Sequence, residues 1–101
     1  MTTEPTTGPS GSAEAPGGPA GWYCGFDQRV VPPTVSYGST GVTVREAQCL
    51  LLALGYNVGH SGIDGVFGPG TRSAVRAFQS DYGLLVDGIV GPRTWNGLRY
   101  Y

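Results

Sequence analysis

Apolar residues recur at three- and four-residue spacing in three separate stretches of the chain. Val44, Ala47, Leu51 and Leu54 fall on one stripe, which is the period of an amphipathic helix. Thr43-Val44-Arg45-Glu46 in front of it has the S/T-x-x-E form of a capping box. Gly55 behind it suits the left-handed residue that closes a helix. The spacing therefore predicts a first helix over 44–54. Thr71, Val75, Phe78 and Tyr82 repeat the period and predict a second helix ending at Gly83. Thr94, Trp95 and Leu98 begin a third, short helix that runs toward Tyr101 and is weakened by Gly97.

The connections between these helices are themselves repeated. Asp64-Gly65-Val66-Phe67-Gly68-Pro69-Gly70-Thr71 is echoed by Asp87-Gly88-Ile89-Val90-Gly91-Pro92-Arg93-Thr94, at an offset of 23 residues. In each copy the Asp-Gly pair supplies a turn whose carboxylate accepts backbone amides. The Gly-Pro pair then places Pro at the first helical position, where a missing N–H costs nothing. Three helices joined by two D-G-x-x-G-P-x-T turns predict an all-α fold, a compact three-helix bundle.

Residues 1–21 break the pattern. They are almost wholly Thr, Pro, Gly, Ser, Ala and Glu, and cannot bury enough apolar surface to offset ordering, so this stretch reads as a disordered linker or tail. The folded domain is expected over 22–101, with an irregular lead-in at 22–36, broken by Pro32-Pro33, and the three-helix core at 37–101.

A domain this small is marginally stable by its core alone. Cys24 and Cys49 are the only cysteines and allow one intramolecular pairing. Small size favours a bridge, worth roughly 3 kcal/mol, over two free buried thiols.

Charge removes several functions. The net charge is −1 and there is no lysine among the six basic residues, which argues against a helix-turn-helix nucleic-acid binder despite its three short helices. No apolar run is long enough for a transmembrane helix. The first residues lack the basic and apolar regions of a secretory signal, so the chain is expected to be part of a longer secreted protein or to travel by another route, such as a phage.

No catalytic constellation is visible. His60 is the only histidine and lies in a Gly-Ser-rich loop. Asp64 and Asp87 could mimic a glycosidase carboxylate pair, but their identical turn contexts explain them as turn residues. Metal-ligand spacing is absent, and the Asp-Gly turns lack the D-x-D-x-D-G series of a calcium loop. The expectation is no catalytic residue, no metal and no cofactor.

One series of residues carries a family resemblance. Gln48-x-x-Leu51-x-x-Leu54-Gly55-Tyr56, Asp64-Gly65-x-Phe67-Gly68, Thr71, Ala74-Val75, Phe78-Gln79, Gly83-Leu84, Asp87-Gly88 and Gly91-Pro92-x-Thr94-Trp95 resemble the peptidoglycan-binding domain of bacterial and phage wall hydrolases, from about Tyr37 to Leu98. The resemblance implies a three-helix bundle that tethers amidases, muramidases, carboxypeptidases or endolysins to the wall. It implies peptidoglycan as partner, a monomer alone or joined to a catalytic domain, and an extracellular or wall-associated place. A protein-interaction module of a phage particle or secretion apparatus is the competing reading.

Peptidoglycan offers sugar faces, amides and stem-peptide carboxylates, so candidate binding residues are Tyr56, Asp64, Phe67, Arg72, Arg76, Asp87 and Trp95. They are expected around a shallow groove at the ends of the first and second helices. Each has a plainer alternative. Phe67 and Trp95 suit the core, Arg72 and Arg76 form an i, i+4 solvated face, and the Tyr56 ring suits packing under a loop.

Overall fold

A computed structural model describes residues 24–100. The tail at 1–21, the expected domain start at Trp22 and the last residue, Tyr101, lie outside the described residues. Three helices follow in order: α1 Val42–Ala53, α2 Pro69–Asp81 and α3 Pro92–Tyr100. Among the described residues there is no strand, only two isolated antiparallel bridges, Val35 with Val90 and Thr40 with Val66. These bridges lay residues 35–40 across both repeated turns.

Helices α2 and α3 each begin on the proline of the repeat. Two helices close alike. Gly55 and Gly83 take positive φ (94° and 71°). The next amides, Tyr56 N and Leu84 N, then reach back to the Leu51 and Gln79 carbonyls at 2.8 Å, which satisfies the last exposed carbonyls of each helix.

The start of α1 departs from the capping box. The helix begins at Val42, its N-cap is Gly41, and no side chain caps it. Thr43 and Glu46 are occupied by the lead-in instead. Glu46 Oε1 accepts the amides of Phe26 (2.7 Å) and Asp27 (3.2 Å), and Thr43 Oγ1 donates to Asp27 Oδ2 at 2.7 Å. A buried carboxylate that pairs with two backbone amides outcompetes the local cap, since leaving that buried acid unpaired would cost about 1–3 kcal/mol or more.

The core is made by all three helices and both turns. Val44, Ala47, Leu50 and Leu51 of α1 meet Val75 and Phe78 of α2, with Trp95 and Leu98 of α3, and Phe67 and Val90 insert from the turns. Gly97 does more than weaken α3: a Cβ there would stand 3.1 Å from Phe78 Cζ, so its absence lets α3 lie against that ring.

Three further contacts pin the lead-in to the helices. Cys24 and Cys49 form the disulfide, with Cα atoms 5.8 Å apart. Arg99 donates to the carbonyls of Arg29 and Asp27 and lies 3.5 Å from Glu46 Oε2. The Trp95 indole donates to the Pro33 carbonyl at 3.0 Å. Asp27, itself buried, is gripped by Arg29 at 2.6 Å, and that hydrogen-bonded guanidinium holds its carboxyl well below the usual carboxylate range.

Candidate binding groove

The two turns are organised by two buried glutamines. Gln48 on α1 donates through Nε2 to Asp64 Oδ1, the Val66 carbonyl and Thr71 Oγ1, each at 3.0 Å, and accepts the Gly65 amide at 2.9 Å. Gln79 on α2 donates to Asp87 Oδ1 (2.9 Å), the Ile89 carbonyl (3.0 Å) and Thr94 Oγ1 (3.1 Å). Its Oε1 accepts the Asp87 and Gly88 amides at 3.1 and 3.0 Å. In both units the aspartate also accepts the amide two residues on, from Val66 and Ile89. Those backbone hydrogen bonds, helped by the glutamines, hold both carboxyls below their ordinary value. Asp64 and Asp87 are therefore ionised acceptors committed to their turns.

The second unit borders an open groove of about 510 Å³, between the end of α2 and the start of α3. Leu84, Leu85, Asp87, Ile89, Pro92 and Arg93 shape it. A second lobe continues past Leu84, Pro92 and Arg93 to Asn96 and to Val31 of the lead-in. Both lobes fall in the size range of small-ligand sites. Leu85 is 80% exposed, far more than packing would leave a loop leucine. The Arg93 side chain is exposed and makes no hydrogen bond or ion pair among the described residues.

Of the residues expected at a site, only Asp87 lines this groove. Phe67 and Trp95 are each 1% exposed and belong to the core, so neither ring offers a face for stacking. Tyr56 is half-buried, its ring edge-on to Phe78 at 5.8 Å and its hydroxyl donating to Asp81 at 2.6 Å. Asp64 lies at the first turn. Arg72 covers the Tyr37 ring at 5.3 Å, and the stems of Arg72 and Arg76 lie over Gly88, outside the groove. This groove lies at the α2–α3 junction, a different place from the one expected at the ends of α1 and α2. Leu84, Leu85, Ile89, Pro92 and Arg93 were not foreseen. The run Leu84-Leu85-Val86 was the available signal, because three consecutive apolar residues in a turn have no place in a helical stripe.

Residues 40–98 match the family described as "Putative peptidoglycan binding domain". The chain belongs to this peptidoglycan-binding domain family. It is 48% identical over 63 residues to the zinc D-Ala-D-Ala carboxypeptidase of Streptomyces albus G, covering 62% of this chain and 25% of that protein. It is 49% identical over 61 residues to the spore cortex-lytic enzyme of Bacillus subtilis, covering 59% and 19%. This peptidoglycan-binding domain thus spans a quarter or less of those two enzymes. An uncharacterized protein of Kitasatospora aureofaciens is 39% identical over 98 residues, 94% of this chain and 75% of that one, so similarity there extends beyond the family's residues into the lead-in and tail. Among solved structures, the peptidoglycan-binding protein of Clostridioides difficile superposes with a TM-score of 0.62 at 48% identity, over 65% of this chain and 40% of that one. The SleB N-terminal domain gives 0.61 at 42% identity, over 64% and 86%. The peptidoglycan-binding family and the three-helix fold agree.

Proposed function

We propose that this domain binds bacterial peptidoglycan without cleaving it, at or outside the cell wall, and so anchors an attached or partnering enzyme or assembly. The observation that carries the proposal is the pairing of family membership with an open groove at the α2–α3 junction, walled by exposed leucine and isoleucine side chains and one arginine whose side chain has no partner among the described residues. An apolar floor with a few polar groups is what ligand recognition requires. A non-catalytic role fits the site, because both repeat aspartates are spent on backbone amides and His60, on the loop between α1 and α2, does not line the groove. Single sites of this kind bind weakly, and tethering supplies the effective concentration that affinity does not.

Co-sedimentation with purified wall sacculi tests the reading. The wild-type chain should leave the supernatant with the pellet, sacculus turbidity should stay constant, and Leu85→Ser should remain largely soluble. Binding that is indifferent to Leu85→Ser would remove the groove, and clearing of the sacculi would remove the non-catalytic role.

A further inference from the structure

The two turn units share their motif and their glutamine networks but not their surroundings. In the first, Gln48 and Asp64 are 16 residues apart; in the second, Gln79 and Asp87 are 8 apart. The longer connection folds back onto the start of α2. A Cβ on Gly70 would lie 2.6 Å from the Val58 carbonyl oxygen and 3.1 Å from Gly59 Cα, and Val58 is buried. A length of the chain's own backbone, carrying one small aliphatic side chain, therefore covers that place in the first unit.

Arg93 holds the position of Gly70 in the second unit's D-G-x-x-G-P-x-T series. There the shorter connection covers nothing comparable, and the place is the open groove. We infer that this groove is a peptide subsite, which takes the stem peptide of peptidoglycan in the way the first unit takes Val58-Gly59, with a stem carboxylate on the Arg93 guanidinium. The inference rests on the wall-binding reading above and says which part of the polymer is held.

Three features support a peptide over a sugar. Leu84, Leu85 and Ile89 suit alanyl methyls and an aliphatic side chain. Arg93 supplies the charge complement that a carboxylate needs and that a neutral sugar does not. Among the described residues no aromatic ring lines the first lobe, where Leu85 and Ile89 lie, and in the second one face of the Tyr82 ring is taken by Phe78 at 4.3 Å. Asn96 in the second lobe offers an amide to a peptide backbone.

The test uses the full chain, isotope-labelled, titrated with a soluble stem pentapeptide ending in D-alanine, and separately with peptide-free glycan strands. The pentapeptide should shift the amide resonances of Leu84, Ile89 and Arg93. Arg93→Ala should weaken its binding about tenfold, as loss of one charge-assisted contact implies, while Arg45→Ala leaves it unchanged. Arg93 is exposed, and retained spectral dispersion would show that the variant folds. Glycan strands that shift these amides while the pentapeptide does not would overturn the inference. So would equal pentapeptide affinity for wild type and Arg93→Ala. In either case continued sacculus binding would leave the wall-binding reading standing; loss of sacculus binding by the wild-type chain would end both.

Discussion

Replacing Gln79 by leucine tests the element on which the groove is built. The substitution keeps side-chain size and removes five hydrogen bonds: two amides accepted, from Asp87 and Gly88, and three contacts donated, to Asp87, Ile89 and Thr94. Asp87 and Ile89 are exposed and can turn to water. The Gly88 amide and the Thr94 hydroxyl are buried and cannot. At about 1–3 kcal/mol for each stranded buried group, offset in part by the gain from an apolar side chain, the loss comes to about 3–4 kcal/mol. In a domain of this size that lowers Tm by roughly 15–25 °C. Urea unfolding followed by far-ultraviolet circular dichroism reads the change as a lower midpoint with the slope preserved. Gln48→Leu should lose a comparable amount, because it strands the equivalent buried groups, the Gly65 amide and the Thr71 hydroxyl. Gln79→Glu should be worse near neutral pH, where a second anion faces Asp87, and should recover in acid as the new carboxyl gains a proton and becomes a donor. A Gln79→Leu loss below about 1 kcal/mol would refute the reasoning, since the Gly-Pro backbone would then hold the turn unaided.

Three further outcomes follow from other contacts. Replacing Cys24 by Ser and Cys49 by Ala opens a loop with a sequence separation of 25; stability should fall by about 3.5 kcal/mol, measured by calorimetry, with helix content retained below the new Tm. The lowered pKa of Asp27 makes its stabilisation fully present above its ordinary value of 3.8 and lost as pH falls through the lower folded value, so Asp27→Asn should flatten the acid limb of a stability–pH profile and weaken the protein near neutrality. Gly70→Ala should displace the Val58–Gly59 segment, because the new methyl would meet a carbonyl oxygen at 2.6 Å; a drop in Tm and raised amide exchange at 58–60 would show it, and an unchanged exchange pattern would contradict the close approach.

The helices were legible because their stripes obey one period and their ends carry glycine or proline with a defined local role. The start of α1 was not, although Thr43 and Glu46 form a faultless capping box on paper. Their partners, Phe26 and Asp27, come from a segment with no periodicity, and a local motif says nothing about a distant competitor. Phe67 and Trp95 show a different limit. An aromatic in a turn or at a helix start suits stacking and packing equally well in sequence, and only the arrangement of three helices around it decides. Gln48 and Gln79 were visible as matching letters, yet a polar residue on an apolar stripe gives no hint that it is fully buried until the turn it holds is in place. The groove was missed for the same reason: its openness comes from what the shorter connection leaves uncovered.

The position of the disulfide bears on how a tether would load this domain. Tension arriving along the chain from before Cys24 passes across the sulfur bridge directly into the middle of α1 at Cys49. Residues 25–48, which hold the Asp27 cluster, the Pro32-Pro33 bend and the first turn of α1, sit inside the bridged loop and are spared the pull. An attached partner could strain against the wall without peeling the lead-in away, so Val31 would keep its place beside the groove under force.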